Sequence, residues 1–233
     1  EVKALQAGND VLLMPADPAI AIQAIKKAIR DGQLRQSQID SSCRRVLIAK
    51  YKAGLNKYEP IDMASLPAKL NTTEATLIQR KIAASAITVA KNAFNIIPLQ
   101  RIDTLKIAVV LSGTDKPNQF TETLGLYKNF DCYYLPNTMD SAKIDSMLFS
   151  MRHYNLIIVS IHNTSSLTSR NYGILPSAIS FFDTLATMRK LILHLPATPY
   201  PLSMFKNIYN YQAIIVSYHD IPVTQELSAQ IIF

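Results

Sequence analysis

The apolar positions of this chain fall into two regimes. From Lys106 onward, short and nearly continuous apolar runs alternate with amphipathic stretches. The runs are Ile107–Leu111, Asp131–Leu135, Leu156–Ile161, Leu191–Leu195 and Ala213–Tyr218. Runs of this length predict strands covered on both faces. The intervening spacing predicts helices near 118–128, 140–153, 176–189 and 202–211, and from about Val223 to Phe233. Strand and helix alternating at this interval give a mostly parallel sheet with helices on both sides, and right-handed crossovers make it a five-stranded, doubly wound α/β sandwich.

The first 54 residues show a different pattern. Residues 1–7 read as the last turns of a helix closed by Gly8 and Asn9, which tolerate a left-handed backbone. Val11–Met14 predicts a buried strand. Asp17-Pro18 starts a helix, with Asp17 as N-cap and Pro18 at its first position, and Ile22, Ile25 and Ile29 form its stripe until Asp31-Gly32. A second helix starts at Ser37, carries Ile39, Cys43, Val46 and Leu47 on one side, and ends at Gly54. A single strand cannot close a layer, so residues 1–54 read as the last βα unit of a TIM-like barrel. Such a strand is expected to be disordered, or paired with another copy or with an upstream segment of the same protein. Residues 55–72 contain two prolines and no clear period, the mark of a linker, and a long helix is predicted from Thr73 to Lys91. The expected organisation is a barrel end at 1–54, a linker and connecting helix at 55–95, and a sandwich at 96–233.

Composition narrows the function classes. The chain has 233 residues, 48% of them hydrophobic and 18% charged, which suits a globular protein. No apolar run approaches the length of a transmembrane helix, and no signal peptide is visible. The formal charge is +7, but the basic residues are scattered over helices (Lys26, Lys27, Arg30, Arg44, Arg45, Arg80, Lys81), as on solvated faces. With no basic block or RNA-binding aromatic motif, nucleic acid is not an expected partner. Cys43 and Cys132 are expected to be buried thiols rather than a disulfide or metal site. The 6 glycines form no phosphate-binding loop, and no cofactor is expected.

The stretch Ala4-Leu5-Gln6-Ala7-Gly8-Asn9-Asp10-Val11-Leu12-Leu13-Met14-Pro15 is followed by Ile25-Lys26-Lys27-Ala28-Ile29-Arg30-Asp31-Gly32. Then come Ile39-Asp40, Arg44-Arg45-Val46-Leu47, Lys50 and Gly54-Leu55. It resembles the end of the barrel of glycoside hydrolase family 3. Ala83–Val89 and Asn95-Ile96-Ile97-Pro98-Leu99 look like that family's entry to its sandwich domain. The resemblance implies retaining hydrolysis of a β-linked sugar from the non-reducing end of a glycan, with an Asp nucleophile and a separate general acid/base. By that matching the nucleophile lies upstream of Glu1, so no catalytic residue is expected here and the chain alone is expected to be inactive. In the family's β-glucosidase-like branch, a Glu on a sandwich loop is the acid/base. The corresponding stretch, VSIHNTSSLTSRNYGILP at 159–176, has no Asp or Glu. That favours the bacterial β-N-acetylglucosaminidase-like branch, whose His/Asp acid/base lies on a barrel loop, and implies GlcNAc-containing glycans such as cell-wall fragments. The implied partners are the glycan and the upstream barrel segment, and the implied location is the periplasm or cell surface. A β-glucosidase-like member and a non-catalytic α/β module binding a partner or glycan are the alternatives.

A few residues stand out as candidate sugar contacts. Met14 and Pro15 end the barrel strand at the rim where barrel enzymes do their chemistry. His162, Asn163 and Arg170 follow the third sandwich strand, at the end where open α/β sheets take ligands. The plainer reading is a core Met14 and a polar loop. Ser165 or Ser166 with His162 would make a hydrolase site, though without the GxSxG elbow. His153, His194 and His219 share no metal spacing and read as element ends. Asp10 reads as a cap or structural ion pair.

Overall fold

A computed structural model describes residues 1–136, 138 and 141–233, which divide into two compact units, Glu1–Pro67 and Ala68–Phe233.

In the first unit, α1 (Val2–Gln6) is joined by an irregular segment to α2 (Pro18–Arg30), and α2 by a short turn to α3 (Gln36–Lys52). Asp17 caps α2, its carboxylate accepting from the amides of Ala19 at 2.8 Å and Ile20 at 3.1 Å. Leu5, Ala28 and Leu34 form a small buried cluster, with Val2, Leu12, Ile25, Ile29 and Ile39 packed against it. The expected strand Val11–Met14 forms no ladder, and Val11 and Met14 are 64% and 88% exposed. No strand of this unit lies beside it to take its backbone groups. Cys43 is exposed, contrary to expectation. The reason is the rotation of α3: it turns the adjacent Ser42 inward, where the hydroxyl donates to Asp10 at 2.8 Å. Asp10 also accepts from Arg45 Nε at 2.7 Å, so it is a structural ion pair. The Arg45 bond, then Ser42, holds its carboxyl at about 2, below the ordinary 3.8.

A short helix, α4 (Leu66–Leu70), spans the division. The second unit then runs α5 (Thr73–Ala86), β1 (Thr88–Asn92), β2 (Ile107–Ser112), α6 (Gln119–Gly125), β3 (Asp131–Leu135) and α7 (Ser141–Ser150). It continues through β4 (Leu156–Ile161), α8 (Pro176–Met188), β5 (Lys190–Leu195), β6 (Ala213–Val216) and α9 (Pro222–Ile232). The sheet order is β1-β6-β5-β4-β2-β3. All pairs are parallel except β1 with β6. This is a doubly wound α/β sheet, with six strands rather than the expected five. The extra strand comes from the predicted helix 73–91, which stops at Ala86. The β-branched run Ile87-Thr88-Val89 stiffens the chain into an extended edge strand.

A second difference is the predicted helix 202–211, which is two short 3₁₀ turns, Tyr200–Met204 and Ile208–Asn210. Asp183, buried on α8, accepts the Tyr211 hydroxyl at 3.2 Å and, at 2.8 Å, the Lys206 backbone amide, which a continuous helix would tie to the carbonyl four residues back. The predicted onset of the helix at 140 lies outside the described residues.

Alternation along the strands builds two cores. Val110, Val159, Leu193 and Ile214 face α8, with Phe182 and Leu185 against them. Val109, Ile158, Ile192 and Ile215 face α6 and α9, with Phe120, Leu124, Ala229 and Ile232 against them. Cys132 on β3 is half-buried against this second core, and burial pushes its thiol pKa up.

Candidate functional site at the strand ends

The core between the sheet and α6/α9 changes character at the C-terminal ends of the strands. Along β4, Ile158 is followed on the same face by Ser160 and then His162. Along β5, Ile192 is followed by His194, and along β6, Ile215 by Ser217. Register places Ser160 beside His194 across the parallel pair. All four are buried, Ser160 and His194 completely. Burying four polar side chains is costly unless each finds partners, and each does.

His162 Nδ1 lies 2.9 Å from Asp220 Oδ1, and its Nε2 lies 2.8 Å from Ser160 Oγ and 3.0 Å from Asn118 Nδ2. Ser160 Oγ lies 2.7 Å from His194 Nδ1, whose Nε2 lies 3.0 Å from Ser217 Oγ. The His194 ring stacks on Phe120, with centroids 4.5 Å apart and planes at 12°. Asp220 also accepts the Gln225 amide at 2.7 Å and the backbone N–H of Asn163 at 2.8 Å. Burial drives the Asp220 carboxyl upward, but the hydrogen bond and charge of His162, with Gln225 and the Asn163 amide, outweigh it and hold the carboxyl below its usual range. Burial, aided by His162, drives His194 down to about 3, so it is neutral.

Asp220–His162–Ser160 has the distances of a nucleophilic triad, but Ser160 has no accessible surface and is bonded to a second imidazole. The group cannot meet a substrate there. The expectation of Ser165 or Ser166 paired with His162 is corrected: both His162 nitrogens are engaged elsewhere, and Ser165 Oγ accepts from the Leu167 amide at 3.2 Å. The switch point of the sheet, where β2 and β4 lie side by side and diverge to opposite flanks, is likewise filled by protein. Gly113 packs so tightly that an added Cβ would sit 2.0 Å from the His162 carbonyl oxygen.

Of the residues singled out in the sequence, Met14 is exposed and Pro15 half-buried, both in the first unit. His162, Asn163 and Arg170 are in the second. His162 is only 3% exposed, whereas Asn163 and Arg170 are exposed. Asn163 has φ 54, a left-handed backbone whose N–H donates a hydrogen bond to Asp220. Arg170 lies in the 3₁₀ segment Thr168–Gly173, anchored by Ser165 N–H donating to Tyr172 O at 2.8 Å. Sequence reasoning missed Asp220, Ser160 and Asn118 as partners of His162, and His194 as the group beyond Ser160. The available signal was a serine or histidine inside each of three otherwise apolar strands.

Residues 1–49 match the family model described as Glycosyl hydrolase family 3 N terminal domain. Over this stretch the chain is similar to the N-terminal domain of glycoside hydrolase family 3. No curated protein sequence matches it. Among solved structures, a family 3 β-N-acetylglucosaminidase from Paenibacillus sp. str. FPU-7 is 16% identical with a TM-score of 0.69, over 99% of this chain and 44% of that one. A β-glucoside phosphorylase is 16% identical with a TM-score of 0.63, over 97% and 41%. A β-glucosidase from Listeria innocua is 14% identical with a TM-score of 0.61, over 99% and 35%. At these identities the likeness is one of fold, and the chain spans less than half the length of each. Among the described residues, no helix is long and apolar enough to cross a membrane.

Proposed function

We propose that this chain is the barrel end and sandwich of a retaining, exo-acting glycosidase that removes β-linked N-acetylglucosamine from glycans or cell-wall fragments outside the cytoplasm. The observation that carries the reading is the family match over residues 1–49. Retaining hydrolysis needs one carboxylate to attack the anomeric carbon and a second group, about 5 Å away, to protonate the leaving oxygen. The β4 strand-end loop offers neither. Residues 162–175 contain no Asp or Glu, and Asp220 is committed to His162, Gln225 and Asn163. On this reading both groups belong to the barrel, and the sandwich supports it. Met14 and Pro15 in the first unit, and separately Asn163 and Arg170 in the second, are assigned to sugar contact, and His162 holds Asn163 in place through Asp220.

The choice of N-acetylglucosamine over glucose rests on the missing acidic residue in that loop. A member acting on β-glucosides is the second reading, favoured by the fold shared with the phosphorylase and the Listeria β-glucosidase. The test is to assay this chain, and a longer protein carrying the preceding barrel, on aryl β-N-acetylglucosaminide and aryl β-glucoside. Turnover of the first substrate by the longer protein only is the expected result. Turnover of the glucoside instead would move the enzyme to the other branch, and turnover by the short chain would place the chemistry in the strand-end loop after all.

A further inference from the structure

With Asn118 oriented by its helix cap, one arrangement of protons places a hydrogen in every close contact of the neutral His162 ring. Asn118 is the N-cap of α6: its Oδ1 accepts the Thr121 amide at 3.1 Å while the Thr121 hydroxyl accepts the Asn118 amide at 3.0 Å. With Oδ1 so engaged, its NH₂ must point at His162 Nε2, 3.0 Å away. Nε2 is therefore an acceptor, and the ring proton sits on Nδ1, facing the Asp220 carboxylate. Ser160 has one hydroxyl proton and two imidazole neighbours, at 2.8 and 2.7 Å. That proton goes to the acceptor Nε2, so Ser160 Oγ must accept from His194 Nδ1–H. His194 Nε2 then accepts the Ser217 hydroxyl. The orientation of one helix-capping amide thus sets the tautomers of two histidines on two strands.

We propose that Asn118, His162, Ser160, His194 and Ser217 form a proton-switched relay joining the start of α6 to the end of β6. When one proton is added to His162 Nε2, the Asn118 NH₂ loses its acceptor and the tie between α6 and β4 is released. Ser160 Oγ now accepts from Nε2–H and turns its own proton toward His194 Nδ1. His194 sheds the Nδ1 proton and carries it on Nε2, which donates to Ser217 Oγ. One proton enters, and every other proton moves by exchange or rotation. The Asp220 ties to His162 Nδ1 and to the Asn163 amide persist, so the loop after β4 stays held while α6 is freed. The titratable groups facing the His162 ring are Asp220, from the segment between β6 and α9, and His194 on β5. The α6 and β2 sides present Asn118, Phe120 and Gly113, none of which titrates. This inference concerns the second unit and does not depend on the glycosidase reading.

The relay makes a prediction at a distance. Asn118→Asp keeps a good N-cap but offers an acceptor where wild type offers a donor. Imidazole ¹⁵N chemical shifts of the labelled chain at pH 7 read every state directly. In wild type, both histidines are expected to carry the proton on Nδ1. In N118D, His162 is expected to be doubly protonated and His194, which has no hydrogen bond to residue 118, to move its proton to Nε2. Adding Ser160→Ala removes the link, so His194 is expected to take the same tautomer in S160A and in S160A/N118D while His162 still differs between them. Wild-type His162 with its proton on Nε2 at pH 7, or an unchanged His194 in N118D, would overturn the relay. Should N118D not fold, acid titration of wild type decides: the His194 tautomer must switch as His162 takes up its proton, and a fixed tautomer refutes the coupling.

Discussion

Asp220 shows what a single buried carboxylate does here. It receives three donors, one from His162, one from Gln225 and one from the Asn163 backbone. Asp220→Ala leaves all three without a partner in a site that water reaches poorly, and an abandoned buried donor costs about 1–3 kcal/mol. A loss of about 3 kcal/mol in urea unfolding is expected for D220A. Asp220→Asn, which keeps two acceptor contacts and misplaces one N–H, should lose about half as much. His194 carries a pH signature of its own. Its folded value, about 3, lies below the ordinary 6.5, because burial disfavours the charged ring. Between those values the unfolded chain binds the proton and the folded chain does not, so stability falls as pH drops through that window, by at most about 1.4 kcal/mol per pH unit. Urea midpoints measured at pH 7, 5 and 4 should fall steeply for wild type and less steeply for His194→Gln. Parallel slopes would mean that His194 is not the neutral buried group described.

At the scale of elements, the loops matter more than the strands. Gly113 leaves β2 with φ +79, and the space its missing side chain would fill is taken by the His162 carbonyl. Gly113→Ala must therefore separate β2 from β4 at their ends as well as bear a left-handed strain, and a loss above about 3 kcal/mol in thermal unfolding is expected. Gly54 has a similar φ of +80 but nothing within 4 Å, so Gly54→Ala should cost only about 1 kcal/mol. The parallel strands were legible because burial on both faces writes itself as uninterrupted apolar residues; Asp131–Leu135 and Leu156–Ile161 match to the residue. β1 was not legible, since its five residues continue a helical pattern and its face is set by a non-local pairing with β6, from Thr88 with Val216 to Asn92 with Ala213. The turns at 200–210 were hidden because their backbone partner, Asp183, lies on a different helix. The candidate site was half legible. His162 and Asn163 stood out as polar residues at a strand end, but the partners that define His162 come from β4, from the α6 cap and from the segment before α9, and only the fold assembles them.

At the scale of the whole molecule, the two units differ in what they bury. The second has two cores sandwiching six strands, with large side chains such as Phe181, Phe182 and Tyr211 fully enclosed. The first encloses few apolar residues, Leu5, Ala21, Ala28 and Leu34, and leaves Leu13, Met14, Ile20, Leu47 and Tyr51 exposed. Burying a large aliphatic side chain contributes about 1.5–3 kcal/mol, whereas fixing each backbone residue costs about 1–2 kcal/mol. A unit with so small a core opens locally at little cost, while the sheet opens only with global unfolding. Amide hydrogen exchange on this chain should therefore show α2 and α3 exchanging with protection far below that of β2, β4 and β5, and limited proteolysis should cut before Pro67 first. If the barrel reading is right, the same α2 and α3 amides in the longer protein should become as protected as the sheet, because Val11–Met14 would then have strands to pair with. Equal protection of both units in the short chain would mean that residues 1–67 form a self-sufficient domain, and would remove the physical reason for seeking a barrel around them.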